Sequence, residues 1–289
     1  MSQYLSKISN SNPKPYHCKS VKSLVSPAIR VDALTVYLGS KKVISDVSFH
    51  IQKGQVLGVL GPNGAGKTSL LNALSGELAA HSGLIALDQY NMCELSAKQL
   101  SSLRVVLPQH SSMTFNLPVS AVVAMGAYPF MTAPQALVEK WVNRALIQVE
   151  LETLQDRDYL SLSGGEQQRI QFARLLVQAF AIIKDRGHVY IFLDEPTASL
   201  DPKHQVLLMR VVRALADIEQ ATVMVVLHDL NMASRWCDKI LLLYQGQVVA
   251  FDTPKHVLTS AKLEQVYGLP MKVMPHPYHE NNVWVVADV

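Results

Sequence analysis

A glycine-rich segment ending in a lysine and a threonine carries the clearest chemistry of this sequence. It reads Gly61-Pro-Asn-Gly-Ala-Gly-Lys67-Thr68 and fits the spacing G-x-x-x-x-G-K-[ST] between an apolar run and a predicted helix. Its glycines would let backbone N–H groups wrap a phosphate, at a helix start that adds partial positive charge. Lys67 would reach the β- and γ-phosphates of a nucleotide, and the Thr68 hydroxyl would bind Mg²⁺. The predicted nucleotide contacts are Gly61, Pro62, Asn63, Gly64, Ala65, Gly66, Lys67, Thr68 and Ser69.

Two adjacent acids, Asp194 and Glu195, follow the apolar run Val189–Leu193. A buried strand would carry Asp194 to the edge of the nucleotide site, where its carboxylate could hold Mg²⁺, usually through water. Glu195 would then orient or deprotonate the attacking water. Alone, such a pair could equally well lie in a surface turn, but beside a phosphate-binding loop it predicts hydrolysis. The second acid argues against a small-molecule kinase, and the absence of a guanine-reading Asn-Lys-x-Asp string argues against a regulatory GTPase.

A second glycine pair lies in Leu162-Ser163-Gly164-Gly165-Glu166-Gln167, at the start of another predicted helix. Backbone N–H groups at a helix start can form an anion-binding nest. One chain binds one γ-phosphate at its phosphate loop. A second nest therefore makes sense if two copies face each other and each caps the nucleotide of the other. A serine N-cap followed by flexible glycines is the alternative interpretation of this segment taken alone.

Together these motifs resemble those of the ATP-binding-cassette (ABC) ATPases, and the resemblance covers about residues 29 to 268. It implies ATP and Mg²⁺ as the bound groups. Tyr37 matches the aromatic residue that stacks on adenine. Gln109 matches the glutamine that touches Mg²⁺ and the attacking water, and His228 matches the switch histidine that contacts the γ-phosphate. The implied catalytic residues are Glu195, His228 and Gln109, and the implied Mg²⁺ ligands are Thr68, Gln109 and Asp194.

The resemblance also implies that two copies of the chain work together. The family's signature segment contacts ATP bound to the other subunit, and here that segment is Ser163, Gly164, Gly165 and Glu166. Asp201 ends the string Ser199-Leu200-Asp201, which resembles the loop that couples the two ATP sites. We therefore expect two ATP molecules between two copies, each shared by one phosphate loop and one signature segment.

Hydrophobic patterning predicts the elements that must position these residues. Residues 29–37 and 43–51 alternate like two strands around a Gly-Ser turn, which predicts an antiparallel hairpin. Val56–Leu60 is a short apolar run, typical of a strand buried on both faces. Residues 96–158 are predicted to be mostly helical. Further predicted elements are helices at 166–181 and 203–218, strands at 189–193 and 222–227, and a hairpin of 240–244 with 247–250.

Strands that alternate with helices indicate a mostly parallel sheet covered on both faces. We therefore predict an α/β P-loop NTPase fold with a mixed, mainly parallel sheet core, an antiparallel β subdomain and a helical subdomain. The chain divides into a flexible N-terminal extension (1–28), an ABC ATPase domain (29–268) and a C-terminal extension (269–289). The helical subdomain covers about residues 96–165. The N-terminal extension is rich in Ser, Asn, Lys and Pro and has no periodicity.

Composition limits where the protein can work. The net charge of +3 is too small to imply nucleic-acid binding, and three scattered cysteines without metal-ligand spacing indicate a reducing compartment. No apolar run approaches the roughly 18 residues of a membrane span, and the N-terminus lacks the apolar core of a signal peptide. We expect a cytosolic protein that acts on a membrane only through a partner.

ABC ATPases act in transport, but also in DNA repair, chromosome maintenance and translation. The soluble groups usually carry tandem cassettes, coiled-coil insertions or zinc knuckles, and this sequence shows none of these. An apolar stretch after Gln109 resembles the surface that receives a helix of the membrane subunit in importers, although it also serves as ordinary subdomain core. Its members are Met113, Phe115, Leu117, Val119, Met125 and Phe130. Transport is the favoured function, and a soluble ATPase acting on nucleic acid or ribosomes is the alternative.

Short strings narrow the transport class by resemblance alone. Residues 106–112 and 227–233 look like those of importers of ferric siderophores, cobalamin and haem. An extra piece around 182–188, with the strings 123–126 and 266–270, resembles the haem (hemin) import ATPases. The resemblance implies ATP-driven haem uptake across the inner membrane, with cobalamin or ferric-siderophore import as the alternative.

The same resemblance implies the partners and the location. The expected partners are a second copy of the chain, two integral-membrane permease subunits and, indirectly, a periplasmic substrate-binding protein, but no nucleic acid. The expected place is the cytoplasmic face of the inner (cell) membrane, where the subunit would be peripheral.

Overall fold

The computed structural model describes residues 27–109, 113–114 and 116–288. The predicted N-terminal extension falls almost wholly outside these residues, as do Phe115 and the end of the 106–112 string. Within them the strands form a sheet of six, a sheet of four and a hairpin of two.

The four-stranded sheet is antiparallel and comes from residues 29–91. It consists of β1 (Ile29–Leu38), β2 (Lys41–Ile51), β4 (Ser82–Leu87) and β5 (Tyr90–Asn91), in the order β2-β1-β4-β5. β1 and β2 form the hairpin predicted from their alternation. β4 has no counterpart among the predicted elements, because its apolar residues do not alternate; it pairs with β1.

The six-stranded sheet lies at the centre of the fold. It consists of β3 (Val56–Leu60), β6 (Arg104–Leu107), β7 (Tyr190–Asp194), β8 (Thr222–Val226), β9 (Lys239–Tyr244) and β10 (Gln247–Asp252). Its order is β10-β9-β3-β8-β7-β6, and only β10 at one edge is antiparallel to its neighbour. β3, β7 and β8 are buried along their whole length, as expected for apolar strands covered on both faces. The predicted mixed, mainly parallel sheet is confirmed.

Helices cover this sheet and fill the region between β6 and β7. They are α1 (Lys67–Ser75), α2 (Ala97–Ser101), α3 (Val119–Ala124), α4 (Gln135–Gln148), α5 (Gly164–Arg186), α6 (Pro202–Glu219), α7 (Leu230–Trp236), α8 (Pro254–Val257) and α9 (Ser260–Tyr267). In the described ranges, none of them has the length and apolar character needed to cross a membrane.

The region 96–158 differs from the mostly helical prediction in one element. Arg104–Leu107 is β6, an edge strand that pairs with β7 along its length. Four residues are too few to show a period, so only the pairing with a distant strand decides their conformation. This pairing brings Gln109 to the end of a strand of the central sheet.

Helix α5 is longer than the predicted helix at 166–181. Ser163 caps it in a capping box with Glu166, which starts the helix two residues earlier. Gly187 adopts a left-handed conformation with φ of 73° and ends it. The extension adds more than one helical turn before β7.

The last part of the chain forms a hairpin of β11 (Met271–His276) and β12 (His279–Ala287). The sequence pattern predicts no element for this segment. Val283 and Val285 of β12 are each 7% exposed and belong to the larger hydrophobic core. The hairpin therefore packs on the body of the protein, against α7, α8 and α9.

Candidate functional site

The phosphate loop joins the end of β3 to the start of α1 in the middle of the central sheet. All three of its glycines have positive φ, +149° at Gly61, +79° at Gly64 and +104° at Gly66, a conformation that L side chains rarely adopt. A Cβ on Gly61 would lie 2.3 Å from the carbonyl oxygen of Leu243, and one on Gly66 would lie 2.7 Å from that of Val43. Only glycine at both positions lets the loop pack this closely against β2 and β9.

The middle of the loop has an exposed tip, at residues 63 and 64, and a buried base, at Ala65. Asn63 and Gly64 are exposed, and a Cβ on Gly64 would meet no atom within 4 Å. Ala65 is buried, and its carbonyl oxygen accepts a 2.9 Å hydrogen bond from the backbone N–H of Gly246, in the turn between β9 and β10. The tip is therefore open to a ligand while the turn of a neighbouring hairpin fixes the base.

The Lys67 side chain lies along the loop and is only 6% exposed. Its Nζ donates hydrogen bonds to the carbonyl oxygens of Gly61, at 2.8 Å, and Pro62, at 3.1 Å. Burial lowers the pKa of Lys67, and the nearby carboxylates of Glu195 and Asp194 oppose that shift. The loop thus holds a nearly buried ammonium group close to two acids.

Asp194 ends β7 and is 2% exposed. Burial raises the pKa of Asp194, while a hydrogen bond with the Thr68 side chain opposes the rise. Its Oδ1 atom is buried and has no hydrogen-bond partner among the described residues. A buried carboxylate oxygen of this kind calls for a ligand, and carboxylate and hydroxyl oxygens are the donors that Mg²⁺ takes. The site fits Mg²⁺; Ser69, half-buried, offers the next hydroxyl along α1.

Glu195 follows Asp194 and is held on both carboxylate oxygens. Gln109 donates a hydrogen bond from Nε2 to Oε2, at 2.8 Å, and Nε2 of His228 lies 2.5 Å from Oε1. Glu195 has a positive φ of 49°, which is uncommon for a residue with a side chain. This backbone turn and the two side-chain contacts fix the direction of its carboxylate.

These residues converge because their strands are neighbours. β8, β7 and β6 lie side by side in the central sheet, and β3 lies on the other side of β8. His228, Asp194 and Gln109 each stand at or just beyond the carboxyl end of one of these strands. Parallel strands end at the same edge of a sheet, which is where ligands bind in open α/β folds. Gln109, Asp194 and His228 therefore lie close together although they are far apart in the sequence.

The signature segment Ser163–Glu166 forms the exposed start of α5. The Ser163 Oγ accepts from the Glu166 backbone, and the Glu166 carboxylate accepts from both the N–H and the Oγ of Ser163, at 2.8 and 2.7 Å. These bonds lower the pKa of Glu166. A Cβ on Gly164 would meet no atom within 4 Å, and one on Gly165 would make only ordinary contacts. Packing within the chain therefore does not explain the two glycines.

The structure does not join the signature segment to the phosphate loop of the same chain. Among the described residues, the side chain of Ser163 hydrogen bonds only to Glu166, and the side chain of Glu166 hydrogen bonds only to Ser163. Gly164 instead lines a cleft of about 450 Å³ together with Gln109 and Glu195. The segment's free surface is available to a molecule outside this chain.

Tyr37 lies near the end of β1, in the antiparallel sheet. Its ring packs edge-on against His81, with the ring centres 4.7 Å apart, and Lys42 Nζ lies 5.9 Å from the ring centre. The tyrosine is half-buried, so part of its surface can contact a ligand.

Asp201 is exposed and caps α6. Its carboxylate accepts from the backbone N–H of His204 at 3.0 Å and lies 2.8 Å from His204 Nδ1. These hydrogen bonds lower the pKa of Asp201. The described residues give Asp201 no contact with the Glu195 cluster.

Gln168, which no sequence pattern singles out, connects α5 to the residue that follows Glu195. Its Nε2 donates a 2.8 Å hydrogen bond to the carbonyl oxygen of Pro196, directly after Glu195. The sequence offers no signal for this contact, because a glutamine on a helix is usually just a polar surface residue. The contact depends on how α5 packs beside the end of β7.

Comparison with known proteins gives a consistent set of relatives. A family model described as "ABC transporter" matches residues 44–198. A hemin import ATP-binding protein, HmuV, of Bordetella pertussis is 45% identical over 254 residues, covering 88% of this chain and 97% of the relative. The protein of the same name from Pseudomonas fluorescens is 45% identical over 249 residues, covering 86% and 96%.

Solved structures agree with the sequence relatives. A chain from a transporter described as of the metal-chelate ABC type, in an inward-facing conformation, superposes with a TM-score of 0.74. Its sequence is 27% identical, and the match covers 91% of this chain and 98% of the other.

Proposed function

The chain belongs to the ABC transporter family, and on that premise we propose that it is the ATP-hydrolysing subunit of a haem (hemin) importer. The observation that carries the ATPase part is the Glu195 carboxylate, held between Gln109 and His228 beside the phosphate loop. The names of the two HmuV relatives carry the substrate part, since no residue of the site is expected to touch haem.

The proposed nucleotide site uses the residues of the loop and the strand ends. ATP would lie with its phosphates in the loop 61–69 and its adenine against Tyr37. Lys67 would exchange its hydrogen bonds to the loop carbonyls for phosphate oxygens. Thr68, Asp194 and Gln109 would hold Mg²⁺, whose charge when bound offsets that of the phosphates.

Glu195 would act as the general base on the attacking water. A base must be held within hydrogen-bond reach of the proton that it takes, and the contacts of Gln109 and His228 limit the rotation of its carboxylate. His228 would also contact the γ-phosphate, which links the position of the base to the presence of ATP rather than ADP. This arrangement accounts for hydrolysis, not for phosphoryl transfer to a second substrate.

The proposed site is completed by a second copy of the chain. Ser163–Glu166 would cap the ATP of the partner, which supplies a reason for two glycines whose Cβ positions are open in one chain. Asp201, exposed at the start of α6, would couple the two sites. ATP would then favour closure of the dimer and hydrolysis would favour its opening.

The remaining partners are proposed from the relatives. Two integral-membrane permease subunits would hold the dimer peripherally on the cytoplasmic face of the inner membrane, and a periplasmic binding protein would deliver substrate. Cobalamin or a ferric siderophore is the alternative cargo; the metal-chelate type of the solved neighbour is compatible with all three cargoes. A soluble ATPase acting on nucleic acid or ribosomes is disfavoured by the import relatives.

Reconstitution tests the proposal directly. The chain would be purified with the permease encoded beside it and placed in liposomes with the cognate binding protein loaded with hemin, cobalamin or a ferric siderophore. We expect hemin to stimulate ATP hydrolysis and to accumulate inside, with Glu195→Gln as the inactive control. Stimulation by cobalamin alone would contradict the cargo, and failure to associate with any permease would contradict the transport role.

A further inference from the structure

The C-terminal hairpin is bound to α7, the helix that begins just after His228. Asn231 and Ser234 stand about one turn apart on α7 and both face β12. Asn231 donates from Nδ2 to the carbonyl oxygen of Val285, at 3.0 Å, and accepts at Oδ1 from its N–H, at 2.7 Å. Ser234 Oγ donates to the carbonyl oxygen of Val283, at 2.8 Å, and accepts from its N–H, at 3.0 Å. We call these four hydrogen bonds the α7–β12 clamp.

The side chains of Asn231 and Ser234 bind the backbone of β12 in the way that a neighbouring β-strand would. Each side chain satisfies both the donor and the acceptor of one β12 residue, at alternate positions along the strand. Ser234 is 2% exposed, and Val283 and Val285 are 7% exposed. Breaking such a bond where water is excluded leaves a buried backbone group without a partner, which costs free energy. The clamp therefore holds α7 in one orientation relative to the hairpin.

The orientation of α7 matters because His228 directly precedes it. Asp229 caps the helix and accepts from the backbone N–H groups of Asn231, at 2.8 Å, and Met232, at 2.9 Å. Asn231 therefore takes part in the cap through its backbone and in the clamp through its side chain. A shift of the clamp would be transmitted to the cap, one residue from His228.

Packing does little to hold His228 itself. Its side chain is 47% exposed, and its contact with Glu195 is made across the edge of the sheet. The position of the imidazole therefore depends on the backbone between the end of β8 and the start of α7. β8 is buried along its length, and the buried Ala233 and the clamp together set the position of α7.

We propose that Asn231 and Ser234 are positioning residues for His228, and that the C-terminal hairpin supports catalysis through them. The inference rests on the proposed role of His228. The clamp sets where the imidazole lies relative to Glu195 and the γ-phosphate, whereas the phosphate loop is built on β3 and α1. Loss of the clamp therefore lowers the rate of hydrolysis and leaves ATP binding largely intact.

A mutant cycle tests this on the full chain. Asn231→Ala and Ser234→Ala would each be made alone and together with His228→Ala. Hydrolysis would be followed in single turnovers, which keep slow rates measurable, and the KM for ATP and the melting temperature would be measured in parallel. We expect each variant to lower kcat about tenfold or more, since a shift near 1 Å can cost about 100-fold, with KM changed less than about twofold. In the His228→Ala background the same changes should cost nothing further.

Two further variants separate positioning from stability. Lys272→Ala removes the exposed ion pair with Asp288, 2.9 Å long, from the same hairpin without touching α7, and should hydrolyse ATP at the wild-type rate. Asn231→Asp keeps the acceptor for the Val285 N–H, loses the donor, and places a charged oxygen against the Val285 carbonyl oxygen. It therefore provides the readout if Asn231→Ala does not fold, with an expected loss of a few-fold in kcat.

The outcomes distinguish the inference from its premise. Wild-type hydrolysis by folded clamp variants, or equal losses with and without His228, would overturn the inference, because the clamp would then act only on general stability. Wild-type hydrolysis by His228→Ala alone would overturn the proposed role of His228 instead.

Discussion

At the residue scale, the two acids at the end of β7 are neighbours in sequence but face different environments. Asp194 is 2% exposed, has an unpaired buried oxygen and contacts Thr68, which suits a metal ligand. Glu195 turns away through its positive φ and is held by an amide and an imidazole, which suits a base. A single step along the chain thus separates two chemical roles.

Replacing Glu195 by Gln keeps the size and shape of the side chain, exchanges one acceptor oxygen for a donor amide nitrogen, and removes the base. We expect kcat for ATP hydrolysis to fall about 10²- to 10⁴-fold, the usual contribution of a general base. Affinity for ATP should remain close to that of the wild type, because the phosphate loop is untouched. Steady-state hydrolysis and equilibrium nucleotide binding check both parts; wild-type turnover would remove Glu195 as the base.

Replacing Lys67 by Ala removes the nearly buried ammonium group of the phosphate loop. We expect ATP binding to be lost at concentrations that saturate the wild type, because the phosphates lose their main positive partner. Titration with a fluorescent ATP analogue measures it. Lys203→Ala is the matched control, since it removes an exposed lysine that pairs with Glu150 and does not belong to the loop. Unchanged affinity in Lys67→Ala would contradict the loop's proposed role.

At the scale of elements, the packing around α5 distinguishes two glycines, Gly126 and Gly164. Gly126 follows α3 and packs on α5, where an added Cβ would lie 2.1 Å from the Arg174 carbonyl oxygen. Gly164 begins α5, and an added Cβ there would meet nothing within 4 Å. Packing within the chain requires glycine at position 126, whereas the surface at Gly164 is open to a second molecule.

Alanine at these two glycines should therefore have opposite effects. Gly126→Ala should lower the free energy of unfolding by about 1–3 kcal/mol through overpacking. Gly164→Ala should leave it unchanged or raise it by up to about 1 kcal/mol, because alanine favours a helix. Urea denaturation and ATP hydrolysis, measured on both, check this: Gly164→Ala should hydrolyse ATP poorly despite its stability. Full activity in Gly164→Ala would argue against a nucleotide contact at the signature segment.

At the scale of the whole molecule, the chain carries two sets of residues that we propose to contact nucleotide, and no hydrogen bond among the described residues joins their side chains. The phosphate loop and the Glu195 cluster form one, and Ser163–Glu166 forms the other. In the proposed closed state, a second copy completes each ATP site, and ATP links the two subunits.

ATP should make the Glu195→Gln variant a stable dimer, because it binds ATP and hydrolyses it slowly. We expect a shift from monomer to dimer in size-exclusion chromatography with ATP and Mg²⁺, and no shift with ADP or after Mg²⁺ is chelated. Adding Gly164→Ala to this variant should abolish the dimer. A dimer that forms equally well with Gly164→Ala would place the interface elsewhere.

Much of this fold could be predicted because the determining patterns are local. The loop Gly61–Thr68, the apolar run before Asp194 and the cap at Ser163 each lie within a few residues, and the alternation of β1 and β2 is visible without a partner. By contrast, β6 is four residues long, and only its pairing with β7 makes it a strand.

By itself, the sequence determined the chemistry available to this protein: a phosphate-binding loop, two acids and a capped glycine pair, all set by short-range spacing. Only the tertiary structure decided which side chains meet. Gln109 and His228 reach Glu195 because three strands are neighbours in one sheet, and β12 reaches α7 because the C-terminal hairpin folds back on the core. Contacts between distant segments depend on strand order and packing, which no local pattern of residues encodes.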